Sequence, residues 1–362
     1  MGGVAAAAVV APQALLASAV DPRPDGAALP RAASSAGEPR HLSWVWQFNH
    51  DGDPYEVRDT LAEHGLGIVL KTHDGVNWMS RYDKSKTSIG GPAFVQAYAD
   101  FFERGGVPFH AWTVLKGRNP AREARLASDV LSAGARSLFL DLEAHAGFWE
   151  GTSQTAWQFG EALRKRQPNA RLSTSIDPRP WEIERIPLEA FASFTDEIAP
   201  QVYWSQFANS ANEKKYVSTG DHIPIKGITS GFVISSAMQR LRSYGLPIHP
   251  IGDGTVTGAD GWDDFIDESY AVDAETVSVW RHGVTSPEVL RLLRDTAPRA
   301  TSYVVQPGDT LSSIAARHRT SVVALMAANS IRDPNLLRVG VRLRLPSRAS
   351  GQVAGAAAGP ER

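Results

Sequence analysis

The sequence predicts an α/β chain, a (β/α)8 barrel followed by a small βααβ module. Three observations carry that expectation. Eight short apolar runs between Leu42 and Trp280 alternate with segments that are apolar at i, i+3, i+4 and i+7. The eight pairs occupy about 250 residues, the usual length of such a barrel. No Gly-rich dinucleotide loop follows the first run, which makes a doubly wound open sheet the weaker competitor.

The expected strands are Leu42–Phe48, Gly67–Lys71, Pro108–Leu115, Ser137–Leu142, Arg171–Ile176, Glu197–Trp204, Ile248–Gly252 and Thr276–Trp280. Between them, Asp53-Pro54 opens a helix over Tyr55–His64 as N-cap and N1 proline, and Gly105-Gly106 closes one over Phe94–Arg104. Further helices are expected at Ala121–Ala133, Gln154–Arg166, Leu188–Phe194, Ile234–Tyr244, Trp262–Tyr270 and Pro287–Thr296. Ser205–Thr229 is long for a connection and is expected to form a loop over the active face.

Composition sets the outer limits. A net charge of −2 argues against bulk electrostatic binding to nucleic acid or an anionic membrane and suits a neutral polymer. The absence of cysteine excludes disulfides, thiolate nucleophiles and Cys-based zinc sites. Residues 1–40 read as a leader: Val4–Val20 ends in the small-x-small triplet Ala17-Ser18-Ala19, but no Lys or Arg precedes it. It is either a signal peptide or a disordered Ala-rich segment, and it is too short and Pro-interrupted for a stable membrane span. The barrel is expected over 41–298, the module over 301–347 and an Ala/Gly-rich disordered tail over 348–362.

In such a barrel the reactive groups sit where strands run out into the βα loops. Those positions carry Gln47, Asn49 and Asp51, then Lys71, His73 and Asp74, then Trp112 and Lys116, then Asp141, Glu143 and His145. Asp177 follows the fifth strand, Gln201, Tyr203 and Trp204 end the sixth, Asp253 the seventh, and Trp280 and Arg281 the eighth. Carboxylates mixed with tryptophans suit a sugar polymer, because rings stack on indoles while carboxylates handle protons. With a strand period of two, Asp141 and Glu143 point to one side and Leu142 to the helix layer. Crowded in a partly dry mouth, the two cannot both ionise easily, and one is held protonated as a general acid. The plainer reading is a pair of solvated loop caps.

Several neighbours carry paired readings. His73 beside Asp74 reads as a hydrogen-bonded structural histidine before a base or metal ligand. Asp177 and Asp253 read as substrate-orienting groups or ordinary caps. Lys71 is placed to pair with Asp141, which would lower that carboxyl's pKa and leave Glu143 as the acid. No H-E-x-x-H motif appears, Ser175 lacks a nucleophile-elbow context, and no metal or cofactor is expected.

The Asp-x-Glu at 141–143 resembles that of family 25 lysozymes and, more loosely, the end of the family 18 chitinase motif. Ala199-Pro200-Gln201-Val202-Tyr203-Trp204 and Val69-Leu70-Lys71-Thr72-His73-Asp74-Gly75 resemble strands of bacterial TIM barrels related to these glycosidases. The resemblance spans roughly 42–283. It implies Glu143 as general acid with Asp141 assisting. From their strand-end positions Tyr203 is expected to assist as well, and Gln201, Trp204, Trp280, Trp112, Lys71, Asp74, Asp177 and Asp253 to contact substrate. Two features differ: Leu42–Phe48 holds no Asp, and Ser137, Leu138 and Phe139 replace the earlier polar residues of the chitinase signature.

The module begins Tyr303-Val304-Val305-Gln306-Pro307-Gly308-Asp309-Thr310-Leu311 and closes with Leu343-Arg344-Leu345-Pro346. It reads as strand, Gly-Asp turn, two helices and strand, with Leu311, Ile314 and Ala315 facing inward. The pattern resembles LysM modules, which bind N-acetylglucosamine-containing polymers. The resemblance implies glycan contacts at Gly308, Asp309, Thr310, Leu311, Asn329, Ser330 and Ile331. A LysM fold without glycan affinity is the alternative.

Together these expectations describe a secreted or cell-wall-associated glycoside hydrolase acting on peptidoglycan and held there by LysM. The alternatives are a binding or scaffolding protein with a degenerate barrel, and a hydrolase of another polysaccharide such as chitin.

Overall fold

The computed structural model describes residues 40–298, 302–318, 320–334 and 337–345. The expected leader, apart from Arg40, and the tail lie outside the described residues. The chain divides into two compact units at the Pro298/Arg299 junction.

The first unit closes on itself. Strands β1 (Leu42–Val45), β2 (Gly67–Asp74), β4 (Phe109–Val114), β5 (Ser137–Leu142), β6 (Arg171–Ile176), β7 (Glu197–Val202), β8 (Ile251–Asp253) and β9 (Ser278–Trp280) pair in parallel. β1 hydrogen-bonds to both β9 and β2, so no parallel edge remains, and this is an eight-stranded (β/α)8 barrel. The two-residue β3 (Asn77–Trp78) folds back antiparallel on the end of β2 as a hairpin.

Alternation along each strand sorts side chains into two cores. Leu138, Leu140 and Leu142 of β5 face the helix layer, while Phe139 joins Trp44, Trp112, Val69 and Ile251 inside the barrel. Full burial of such side chains contributes roughly 1.5–3 kcal/mol each. Helices begin where short polar residues catch free N–H groups. Asp53 accepts from Tyr55, Asn119 from Arg122, Thr152 from Thr155 and Ser286 from Val289.

Several boundaries differ from expectation, and three of them bear on the rim. β1 stops at Val45, because Phe48–Asp51 winds into a helical turn. β2 runs on to Asp74 through a bulge between Lys71 and His73. β7 stops at Val202, and Trp204–Phe207 is helical. The 205–229 connection is also not a bare loop, since Ser210–Ser218 forms a helix capped by Asn209.

The second unit pairs β10 (Ser302–Val304) antiparallel with β11 (Arg342–Arg344) around helices Leu311–Arg317 and Val322–Ala328. Leu311, Ile314, Ala315, Leu325 and Leu343 form its own small core. Among the described residues no helix is long and apolar enough to cross a membrane.

Candidate active site

All eight barrel strands are parallel, so their C-terminal ends share one rim. Asp141 lies one residue from the end of β5, with Glu143 just beyond it. Asp141 is 4% exposed and accepts a 2.8 Å hydrogen bond from Gln201 Nε2, which also donates to Ser175 Oγ at 3.0 Å. β5, β6 and β7 thus contribute one residue each to a buried polar chain. Glu143 is more open, at 21% side-chain exposure, with His145 Nε2 at 3.9 Å.

Burial pushes the Asp141 carboxyl well up, and the Glu143 charge adds to it, while Lys71 and hydrogen bonds from Gln201 and Ser175 oppose. Burial also raises Glu143, with Asp177 adding to it and His145 opposing. The pair therefore retains a proton where free carboxyls have lost theirs. Tyr203 sits just after β7, and its hydroxyl makes no hydrogen bond among the described residues. Desolvation and then the charges of Asp141 and Glu143 drive its pKa well up, so it is a permanent donor.

Asp177 and Asp253 are both committed elsewhere. Arg179 grips Asp177 through its backbone N–H and its guanidinium, with Nε 3.0 Å from each oxygen. Asp253 is fully buried; one oxygen accepts from Ser205 N at 3.2 Å and Oγ at 2.5 Å, the other from Thr255 N at 2.9 Å and Oγ1 at 2.6 Å. Asp253 is a loop cap with no capacity left for a substrate.

Other expected contacts need correction. Trp204 is 6% exposed and packs against Trp262 and Phe265 in the helix layer, away from the rim. Its strand has already become a helix, so the period-two placement fails there. Trp112 is buried inside the barrel, where Nε1 donates to the Val45 carbonyl at 3.0 Å. It forms the floor rather than a free stacking face, edge-on to the half-buried Trp280 at 5.3 Å. Lys71 pairs not with Asp141 but with Asp74 at 3.2 Å, and its ammonium lies 4.7 Å from the Trp112 ring centroid. His73, by contrast, is the hydrogen-bonded structural histidine expected: it is fully buried, its Nδ1 lies 2.9 Å from Thr72 Oγ1, and burial lowers its pKa to about 3. Asp51 receives the Trp46 N–H at 2.6 Å and pairs with Arg281, so it holds the β1 turn.

Sequence reasoning missed Arg179, Ser175 and the interior Trp44. Arg179, two residues after Asp177, was the detectable one, since that spacing brings a guanidinium onto its own carboxylate.

In the C-terminal module, Asp309 accepts from Tyr303 Oη at 2.6 Å and Gln306 N at 2.7 Å, and Arg317 lies 3.4 Å away. Thr310 and Ser313 form a capping box. Asn329 is a clamp, donating to the Leu325 and Arg344 carbonyls at 2.7 Å each and accepting from Arg344 N at 2.6 Å. Leu311 is buried in the small core and Ile331 packs against it, while Gly308, Thr310 and Ser330 are exposed. Of the seven expected glycan contacts, Asp309, Leu311 and Asn329 spend their side chains on structure, and Thr310 Oγ1 also accepts from Ser313 N at 3.0 Å.

Residues 303–346 match the LysM domain family. A 58-residue stretch is 47% identical to the N-acetylmuramoyl-L-alanine amidase XlyB of Bacillus subtilis, covering 16% of this chain and 18% of that enzyme. Solved structures similar to the chain include the Bacillus cereus spore cortex-lytic enzyme SleL, with a TM-score of 0.46 and 10% identity over 70% of this chain and 73% of that one. Another is the catalytic domain of a hyperthermophilic chitinase from Pyrococcus furiosus, with a TM-score of 0.43 and 12% identity over 71% and 94%.

Proposed function

We propose that the barrel is a glycoside hydrolase acting on peptidoglycan at the cell wall, and that the LysM domain holds it to that polymer. The observation that carries this reading is the Asp141–Glu143 pair, two carboxyls at one rim that burial and neighbouring negative charge keep partly protonated. Glu143 is the general acid, because it is open to the mouth while Asp141 is buried and bound by Gln201. It protonates the glycosidic oxygen as the C–O bond breaks.

The attacking group is the substrate's own acetamido oxygen. Asp177 is neutralised by Arg179 and Asp253 is saturated by four donors, so neither carboxylate is available for a direct displacement. Asp141 orients the acetamido N–H, and Tyr203 donates to its carbonyl as charge develops there. Water then opens the cyclised sugar, returning the proton to Glu143. Trp280 and Lys71 flank the mouth.

In the LysM domain the exposed Gly308, Thr310 and Ser330 meet the glycan, while Asp309, Leu311 and Asn329 build the walls. Tethering raises the effective substrate concentration without altering the chemistry.

The test is Glu143→Gln in the full chain, assayed by zymography on purified walls with mass spectrometry of the products. Turnover should fall about 10²–10⁴-fold while the protein still pellets with walls. Unchanged activity would remove Glu143 from the mechanism. A folded wild-type chain that binds walls and releases nothing would leave the binding-protein reading.

A further inference from the structure

The rim beside β2 and β4 carries a charge arrangement that proton transfer at Glu143 does not use. Asp74, at the end of β2, lies between two ammonium groups: Lys71 Nζ is 3.2 Å from Oδ2 and Lys116 Nζ is 2.6 Å from Oδ1. Within ion-pair distance the two cations share one anion; Glu150, a further carboxylate in the field of Lys116, is taken up by Arg118. Asp141 is the other carboxyl within influence of Lys71, but its burial favours the neutral form.

Both lysines are held in place. The Lys71 ammonium sits over the Trp112 ring, and the side chain is 8% exposed. The Lys116 stem crosses Gly75, where an added Cβ would meet its Cδ at 3.1 Å. Gly75 has φ +57°, which its lack of a side chain permits. The loop that starts at Lys116 is pinned by the buried Glu123, which accepts from the backbone N–H groups of Lys116 at 2.9 Å, Gly117 at 3.2 Å and Asn119 at 3.1 Å. The Glu123 carboxylate is thus held by three backbone amides of the loop.

We infer that Lys71 and Lys116 form a subsite for a carboxylate on the substrate, so that the sugar polymer taken at this mouth is acidic rather than neutral. The inference rests on reading the mouth as a sugar site. A partly buried cation in excess of its anions is costly to leave unmet, and a carboxylate arriving beside Asp74 completes a two-by-two arrangement. A chain built only of N-acetylglucosamine offers nothing to that charge. A muramic acid residue does, through its lactyl carboxylate or through carboxylates of a peptide attached to it.

The experiment is calorimetric titration of the full chain carrying Glu143→Gln, which blocks turnover. The ligands are N-acetylglucosaminyl-N-acetylmuramic acid, its methyl ester, and the same disaccharide bearing a stem peptide. The LysM domain is common to every protein compared and cancels in the difference. Adding Lys116→Met should weaken binding of the free acid roughly tenfold and leave the ester unchanged, while Lys116→Arg retains the acid. If the peptide-bearing disaccharide alone shows the loss, the stem is the source of the carboxylate. Equal weakening for acid and ester, or none for any ligand, overturns the inference. Turnover on walls by the wild-type chain tests the hydrolase reading separately, so either can fail alone.

Discussion

Acid should unfold this barrel early, and three of its five histidines with lowered pKa values already give a lower bound on the effect. His41, His73 and His249 are each at most 4% exposed. Burial lowers their pKa values from 6.5 to about 4, about 3 and about 4. Each is depressed below its unfolded value, so its stabilising contribution is complete above pH 6.5 and is lost as the pH falls towards the folded value. At pH 5 each has cost about 2 kcal/mol, and the three together about 6 kcal/mol, against a typical total of about 5–15 kcal/mol. Asp141 and Glu143, with raised pKa values, act in the opposite sense and offset part of this. Tryptophan fluorescence against pH should show cooperative barrel unfolding beginning between pH 5 and 6, with uptake of more than one proton. His249 bonds Ser278 Oγ at 3.0 Å and Thr276 Oγ1 at 3.2 Å. Glutamine in its place should remove about a fifth of the acid loss while lowering stability at pH 8. A wild-type midpoint below pH 3, or identical acid curves for the two proteins, would refute the argument.

Other outcomes follow from the same geometry. Asp141→Asn should abolish most turnover yet raise the melting temperature at pH 8 by about 2–4 °C. The folded Asp141 pKa is raised, so its stability contribution is lost as the pH rises through that value, and the gain should vanish near pH 4 in a thermal scan. Residues 301–347, expressed alone, should pellet with insoluble peptidoglycan or chitin; a folded fragment that binds neither would remove the anchoring role. Asn329→Ala removes the bonds that Asn329 makes to the Leu325 and Arg344 backbone and should destabilise that fragment by about 1–3 kcal/mol in urea unfolding.

The strands Ser137–Leu142 and Arg171–Ile176 were legible to the residue, because a parallel strand buried on both faces reads as an uninterrupted β-prone run. The closeness of Asp141 and Glu143 follows from their spacing at the end of β5, although Glu143 lies one residue past the strand. What failed were positions where the period changes. Trp204 was expected at the rim because the strand was carried two residues too far, past the turn into Trp204–Phe207. The bulge at Lys71/His73 shifts the register of β2 and brings Asp74, not Asp141, to the Lys71 ammonium. Commitments such as Asp253 to Ser205 and Thr255, or Asn329 to Arg344, depend on which loops meet in space, and residue type alone does not reveal whether a polar group is spent or free.

The barrel interior holds Trp44, Trp112 and Trp280 with ring centroids 5.3–5.9 Å apart. Indoles this close share their excited states, so the three behave optically as one chromophore rather than as separate emitters. The Lys71 ammonium over the Trp112 face imposes a local field on that chromophore, and a ligand charge arriving at Lys71 alters the field. All ten tryptophans precede the LysM domain, so the indole region of the near-ultraviolet circular dichroism is an intrinsic gauge of what occupies the mouth.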